Sequence, residues 1–194
     1  MKSYALYVLW ICPTCHGEYS YPIREREVND DSCPYCNNDR ALAGYNSLVD
    51  TDFDLSKEWS PSNERGPETY LKTSKTLVFW LCPTCSGEYR YPINERELGD
   101  DSCPYCKGTK ALPGYNSFKH KHPDLMEEWD CIDNYVLCDA DTILDNYSDN
   151  VWWICKVCFK KYHMSPKRKL YYQKRHMISC LHCKGLRQKK RHFL

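Results

Sequence analysis

Six Cys-x2-Cys pairs constrain this chain more than any other feature of its sequence. The chain holds fourteen cysteines in 194 residues, and twelve of them belong to these pairs. Two thiolates two residues apart can hold one ion from a tight turn, and two such turns complete a closed tetrahedral site of the kind that structural zinc takes. The pattern therefore predicts three structural Zn2+ ions per chain, held by Cys12, Cys15, Cys33 and Cys36; by Cys82, Cys85, Cys103 and Cys106; and by Cys155, Cys158, Cys180 and Cys183.

The pairing of these cysteines follows from their distance along the chain. In the first two units 17 residues separate the two pairs, and in the third unit 21 residues separate them. Closing such a short loop costs less entropy than exchanging pairs between units. We therefore expect each site to close within its own unit. Iron and disulfides are the alternatives to zinc for the same cysteines.

The chain repeats with a period of 70 residues. Residues 8–47 and 78–117 align without a gap, and 28 of the 40 positions are identical. In each unit a β-branched and aromatic run leads to the first cysteine pair, and a stretch such as GEYSYPI predicts the return strand. Between units, DLSKEW (54–59) and DLMEEW (124–129) predict one or two helical turns. Trp59 and Trp129 are expected to pack on the neighbouring unit.

These patterns predict a small metal-stabilised β-rich fold of three tandem four-cysteine zinc ribbons, each made of β-hairpins with zinc knuckles. The predicted divisions are 1–46 and 77–116 for the first two ribbons, 47–76 and 117–150 for spacers with short helical turns, and 151–194 for a basic third ribbon with its tail. Two residues after the second cysteine of a knuckle, a residue that tolerates positive φ is expected, namely Gly17, Gly87, Gly108, Gly185 and, once, Asn38.

The N-terminal run MKSYALYVLWIC is similar to a short signal sequence. However, its VLWIC is repeated as VFWLC at 78–82 and as VWWIC at 151–155. A cleaved leader is not repeated within a chain, so this run is predicted to be a strand. The expected compartment is then the reducing cytoplasm, where paired cysteines bind metal rather than form disulfides. No run is long enough to predict a membrane span.

Charge is divided sharply along the chain. Residues 151–194 hold thirteen Lys and Arg and no acid, whereas residues 1–150 hold fourteen Lys and Arg against twenty-six acids. Cations neutralise phosphates, and interleaved aromatic rings can stack on bases. The third unit is therefore predicted to contact DNA or RNA through Lys160, Lys161, Lys167, Arg168, Lys169, Tyr171, Tyr172, Lys174, Arg175, Lys184, Arg187, Lys189, Lys190 and Arg191. A solvated basic tail is the alternative, and no recognition helix is expected.

Catalytic functions are not favoured by the same motifs. Cys-Pro-Tyr-Cys also occurs in glutaredoxins, which place it at a helix N-terminus, but here Gly and Pro follow it closely and no helix is expected. Four sulfurs saturate each metal site, so no open position for nuclease chemistry remains. His16 is interpreted as a surface knuckle residue rather than a spare ligand. Cys131 and Cys138 are interpreted as ordinary thiols, with a reversible pair as the alternative.

The combination of VWWIC, two cysteine pairs, an arginine in the loop (Arg26, Arg96), CPYC and GYNSF…HPDLMEEW resembles a bacterial "probable zinc-ribbon" family of uncharacterised function, often found in tandem. Some members place the ribbon beside endonuclease domains, so the resemblance implies a nucleic-acid context. The third unit departs from the family pattern, because it lacks proline in both cysteine pairs and is rich in basic residues.

The sequence as a whole therefore predicts a non-catalytic zinc protein that binds DNA or RNA through its third ribbon. The acidic first two ribbons are expected to dock a protein partner. An alternative is a protein-interaction or inhibitor module, acting on a nucleic-acid-handling enzyme through an acidic surface that mimics nucleic acid.

Overall fold

The computed structural model describes residues 6–26, 32–99 and 101–185. The chain divides into two compact units, Met1–Cys103 and Pro104–Leu194. The division falls inside the second Cys-Pro-Tyr-Cys motif. In the described ranges, no helix is both long and apolar enough to cross a membrane.

Two antiparallel hairpins form the sheets of the first unit. Strand β1 (Tyr7–Ile11) pairs with β2 (Glu18–Pro22), and β3 (Leu77–Leu81) pairs with β4 (Glu88–Pro92). The registers are equivalent, because Trp10 lies opposite Tyr19 and Trp80 lies opposite Tyr89. The β-branched and aromatic residues of these runs favour extended backbone, and the first cysteine pair of each unit forms the turn between the strands. The predicted hairpins are confirmed.

Short helical elements connect the two hairpins of this unit. Helix α1 (Leu48–Thr51) begins with a capping box, in which the Asp50 carboxylate accepts the Ser47 N–H at 3.1 Å, and the Ser47 hydroxyl also donates to Asp50 at 2.5 Å. Helix α2 (Phe53–Ser56) is capped by Asp52, which accepts the Leu55 N–H. A 3-10 turn follows at Pro67–Thr69, and further 3-10 turns follow the hairpins at Ile23–Glu25 and Ile93–Glu95. The predicted helical turns between the ribbons are thus present.

The second unit builds its core around one further hairpin. Helix α3 (Phe118–Lys121), a 3-10 turn (Pro123–Glu128) and α4 (Cys131–Asn134) precede the antiparallel strands β5 (Val151–Ile154) and β6 (Lys161–Met164). Trp153 of β5 is fully buried in one aromatic cluster with Phe118 and Trp129. The ring centroids of Trp129 and Trp153 lie 5.3 Å apart in an edge-to-face arrangement, which aromatic pairs prefer.

A segment that precedes each of β3 and β5 packs on the hairpin that follows it. We call these segments the Glu-Trp segments, residues 54–60 (DLSKEWS) and 124–130 (DLMEEWD). Trp59 forms an isolated antiparallel bridge with Trp80, and Trp129 forms one with Trp153. The expectation that these tryptophans pack on a neighbouring ribbon is confirmed.

The third ribbon contains a helix that was not expected from the sequence. Helix α5 (Pro166–Lys174) follows β6, where the described residues of the first two ribbons form three-residue 3-10 turns. Ser165 caps it by accepting the Arg168 N–H at 3.3 Å, and Pro166 occupies its first turn. Both residues favour a helix start, and the longer loop of this ribbon supplies the residues for two turns.

Candidate metal centres

The structure brings the twelve predicted ligands together as three groups of four. Within each group the sulfur atoms all lie within 4.8 Å of one another. The closest Sγ pairs are 3.6 Å apart in the first group (Cys12–Cys36 and Cys15–Cys33) and 3.6 and 3.7 Å apart in the third. A tetrahedron with Zn–S bonds of about 2.3 Å has edges of about 3.8 Å. The donor sets therefore fit three structural Zn2+ ions, each with four thiolates and no position left for a further ligand.

The first cysteine pair of each ribbon sits in a knuckle closed by backbone hydrogen bonds. Cys12 N–H donates to the Gly17 carbonyl at 3.0 Å, and His16 N–H donates to the Cys12 carbonyl at 3.0 Å. Equivalent pairs of backbone hydrogen bonds close the knuckles that begin at Cys82 and Cys155. His16 is exposed and is not part of the four-sulfur group.

The prediction that Gly17 and Gly87 adopt positive φ is wrong, although Asn38, Gly108 and Gly185 do adopt it as predicted. In the first pair of each ribbon the left-handed residue comes one position earlier, at His16, Ser86 and Phe159. Gly17 is required for space instead, because a Cβ there would lie 2.5 Å from the ring of Tyr35. The ring of Tyr35 thus packs directly against the backbone of the opposite knuckle.

The knuckle amides favour one thiolate in the first site and one in the third. Hydrogen bonding from the Cys15 N–H lowers the pKa of Cys12 to about 6, whereas burial raises the pKa of Cys15 to about 12. Burial opposes ionisation of Cys155, but the N–H groups of Cys158 and Val157 lower its pKa to about 7. Hydrogen bonds with the neighbouring thiols Cys158 and Cys155 raise the pKa of Cys183 to about 12. Zinc must therefore displace protons from some of the sulfurs when it binds.

Polar residues around the sulfurs hold the knuckles in place. The Tyr45 hydroxyl lies 3.7 Å from Cys36 Sγ, and the Tyr115 hydroxyl lies 3.6 Å from Cys106 Sγ. Asn46 spans the second knuckle, since its amide donates to the Tyr35 carbonyl at 2.7 Å and its oxygen accepts the Leu42 N–H at 2.7 Å. These roles were not predicted from the sequence, although the repeated Gly-Tyr-Asn-Ser stretch carries the signal.

A tyrosine of the return strand is tied to the residue before the third cysteine in all three ribbons. The hydroxyl pairs are Tyr19–Ser32, Tyr89–Ser102 and Tyr162–Ser179, at 3.0, 2.7 and 3.0 Å. Each bond spans the loop between the two ligand pairs of its site. These side chains therefore fix the distance between the two halves of the metal centre.

A cation lies beside Tyr19 and beside Tyr162, and the second ribbon has Arg96 at the position equivalent to Arg26. Arg26 hydrogen-bonds to Tyr19, and Arg96 forms a buried ion pair with Glu58. In the third ribbon the cation is Lys169, whose Nζ lies 2.5 Å from Glu128 Oε2 and 2.8 Å from the Tyr162 hydroxyl. Lys169 was predicted to contact nucleic acid, but its ammonium group is buried and occupied by these partners.

The other residues predicted to contact nucleic acid lie mainly on the surface of the third ribbon. Lys167, Arg168, Tyr171 and Lys174 are exposed on α5, Arg175 is exposed at its C-cap, and Lys160 is exposed before β6. Tyr172 and Lys184 are half-buried, with Lys184 Nζ 3.8 Å from the centroid of the Tyr172 ring. Lys161 is exposed but forms ion pairs with Asp130 and Asp133. Arg187, Lys189, Lys190 and Arg191 lie outside the described residues.

The two cysteines outside the sites are free thiols. Cys131 is exposed in the first turn of α4, and Cys138 is half-buried. Burial raises the pKa of Cys138. The Cys-Pro-Tyr-Cys motifs lie in turns, and within the described ranges neither of them begins a helix.

Comparison with known families decides between the interpretations of these cysteines. Residues 1–39, 55–109 and 125–186 match the family described as "Probable Treble clef zinc finger domain". The chain belongs to this treble clef zinc finger family. Its three fingers correspond to the three four-cysteine groups, which confirms the predicted tandem zinc-binding units and the three structural Zn2+ ions. No curated protein matches the chain.

The second and third matches begin at Leu55 and Leu125, inside the Glu-Trp segments. Two of the fingers matched to the family thus include the segment that packs on their hairpin. The first match begins at residue 1, and Asp-Leu-x-x-Glu-Trp occurs in the sequence only at 54–59 and 124–129.

Proposed function

We propose that this protein is a non-catalytic zinc finger protein whose third finger binds DNA or RNA. The observation that carries the proposal is the exposed surface of α5 and its C-cap, which presents Lys167, Arg168, Lys174 and Arg175 together with the ring of Tyr171. Cations at this spacing suit phosphates, and an exposed ring suits stacking on an unpaired base.

The electrostatics of the third finger support this proposal. Residues 151–194 contain no acid that could neutralise the helix locally. Acidic residues of the second unit form ion pairs with Lys156, Lys161 and Lys169 of this finger. These ion pairs do not involve the exposed lysines of α5. Arg175 lies over the Tyr171 ring at 4.2 Å, so the cation and the ring are held side by side.

The test is a binding series on the full zinc-loaded chain with single- and double-stranded DNA and RNA. Six exposed or half-exposed cations, namely Lys160, Lys167, Arg168, Lys174, Arg175 and Lys184, are available in the described part of the finger. If about six phosphates are engaged, the log–log salt slope is expected near −5 for a duplex and near −4 for a single strand. Absence of binding to all four nucleic acids at low salt would refute the proposal.

A charge-matched pair of variants makes this test specific. Changing Lys167, Arg168, Lys174 and Arg175 to Gln removes four charges from α5. Changing the exposed Arg65, Lys75, Lys107 and Lys110 to Gln removes four charges elsewhere. Only the α5 variant is expected to lose binding by a factor on the order of 100 or more and to flatten the salt slope. Equal losses in both variants would indicate unspecific charge attraction.

The acidic residues 1–150 have a separate role in the proposal. Their charge of −12 opposes nucleic-acid binding by the first two fingers, and it suits docking on a protein partner. If the full chain binds neither DNA nor RNA, the alternative is an interaction or inhibitor module for a nucleic-acid-handling enzyme, which affinity capture with the intact chain would test.

A further inference from the structure

The outer edges of β3 and β5 are each covered by a Glu-Trp segment. Leu81 N–H donates to the Glu58 carbonyl at 2.7 Å, and Ser60 N–H donates to the Phe79 carbonyl at 3.1 Å. On β5, Asp130 N–H donates to the Trp152 carbonyl at 3.2 Å. Each segment therefore pairs with the edge of its hairpin through an isolated antiparallel bridge.

The side chains of the segments make the same three contacts in both places. The leucine is buried (Leu55, Leu125), and the tryptophan ring meets the tryptophan of the strand edge-to-face, at 5.4 Å for Trp59–Trp80 and 5.3 Å for Trp129–Trp153. The glutamate forms an ion pair with the cation of the finger, Glu58 with Arg96 and Glu128 with Lys169. Asp-Leu-x-x-Glu-Trp is thus a docking motif with backbone, apolar and charged components.

The first finger has the same two residues that contact a Glu-Trp segment in the second finger, a strand tryptophan and a loop arginine. The outer edge of its strand β1 is exposed. Trp10 stands where Trp80 and Trp153 stand, and Arg26, whose guanidinium lies 4.7 Å from the Trp10 ring, stands where Arg96 stands. Leu9 is 74% exposed and Ile11 is 66% exposed, whereas their equivalents Phe79 and Leu81 are half-buried.

The burial of the strand tryptophan differs between the fingers in the same direction. Trp10 is half-buried, whereas Trp80 and Trp153 are fully buried. In the described ranges, isolated bridges lie on the edges of β3 and β5 but not on β1.

We propose that the outer edge of β1 binds an Asp-Leu-x-x-Glu-Trp segment of a partner protein, because both such segments of this chain already pack on β3 and β5. The segment adds to the edge as an extended strand, its tryptophan packs on Trp10, and its glutamate faces the complementary charge of Arg26. This inference goes beyond the proposed function, because it concerns an apolar strand edge and does not depend on nucleic-acid binding.

The probe for this site is a labelled synthetic peptide with the sequence of residues 52–63, DFDLSKEWSPSN. Saturable binding to the full zinc-loaded chain is expected by fluorescence anisotropy. A peptide with the tryptophan changed to alanine is expected to bind at least about tenfold more weakly, because this ring is the anchor. Equal binding of the two peptides overturns the proposal.

A pair of protein variants places the peptide on β1. Leu9→Asp puts a negative charge on the exposed edge, and Val136→Asp puts one on a residue that is 83% exposed elsewhere. Leu9→Asp is expected to weaken peptide binding at least about tenfold and Val136→Asp to leave it unchanged. If both variants bind like the parent chain, the peptide has exchanged with a segment on β3 or β5, and the proposal fails.

Sedimentation velocity identifies whether a second copy of the chain is the source of the segment. A monomeric chain that binds the peptide at β1 supports a partner protein as the source of the segment. Self-association that Leu9→Asp abolishes would overturn that source and identify a second copy as the occupant. Self-association that Leu9→Asp leaves intact, with no peptide binding, refutes the site itself.

Discussion

The ammonium group of Lys169 lies 2.5 Å from Glu128 Oε2, and this ion pair joins α5 to the Glu-Trp segment in the second unit. The same ammonium group donates to the hydroxyls of Tyr162 and Ser179, next to the ligand Cys180. One buried charge therefore connects the helix, the segment and the metal centre of the third finger.

Removing one partner of this pair is expected to destabilise the third finger strongly. Lys169→Met leaves Glu128 charged and poorly solvated, so the free energy of unfolding should fall by about 3–5 kcal/mol. Lys174→Met on the exposed side of α5 should change it by less than about 0.5 kcal/mol. Denaturant unfolding of the zinc-loaded chain measures both values. Similar values for the two variants would show that the ion pair has little energetic weight.

Removal of the metal is expected to unfold all three fingers. Each site contributes on the order of 10 kcal/mol to folding, because the preformed site does not exist in the unfolded chain. A zinc assay should find three ions per chain, and the far-UV circular dichroism should collapse on chelation. Changing both Cys131 and Cys138 to Ser should leave three ions, whereas Cys33→Ser should reduce the number to two. A zinc content that falls in the Cys131 and Cys138 variant would make one of these thiols a ligand.

Zinc affinity is expected to rise with pH. Zinc binds thiolates, so it lowers the pKa of every ligand, and its contribution is present at high pH and lost as pH falls. Burial holds the pKa of Cys15 at about 12 in the metal-free site, so its proton must leave when zinc enters near neutral pH. Affinity should rise on the order of tenfold per pH unit for each proton displaced. Competition with a chromophoric chelator at pH 6, 7 and 8 measures this slope, and a flat profile would contradict it.

The packing of Tyr35 against Gly17 predicts a strong effect from one methyl group. Gly17→Ala places a Cβ 2.5 Å from that ring, so overpacking should cost about 1–3 kcal/mol. Ser20→Ala, at an exposed position of the same hairpin, should cost less than about 0.5 kcal/mol. Chelator resistance of the first site offers a local measurement, since weaker packing should speed zinc loss there. Equal rates in the two variants would argue against close packing at Gly17.

The sequence predicts the metal centres well because cysteine spacing limits the possible geometry. Cys12 and Cys15 can share an ion only from a tight turn, and the repeat shows which pair completes the site. The hairpins and the packing of Trp59 were predictable for the same reason, since each feature appears in more than one unit. These predictions rest on residue spacing and on the repeat, and they do not require the contacts between residues that are distant in the sequence.

The features that were missed depend on contacts between distant residues. Lys169 has the same chemistry in the sequence as Lys167, and only the approach of Glu128 from 41 positions away makes one of them a buried residue. The prediction of positive φ at Gly17 is wrong because the local pattern does not show the close approach of the Tyr35 ring, 18 positions later. Helix α5 was missed because a run rich in basic residues has no clear apolar periodicity, so its start depends on Ser165 and Pro166.

The loop between the two ligand pairs of a finger is an insertion site that leaves the metal centre unchanged. Twenty-one residues close the third site with the same sulfur separations that seventeen produce in the first. Because closure entropy grows only with the logarithm of loop length, four added residues cost about 0.2 kcal/mol. The finger therefore works as a scaffold for grafting: α5 with its flanking residues should be transferable to the first finger as a cassette, and unrelated binding helices should be displayable from the same position.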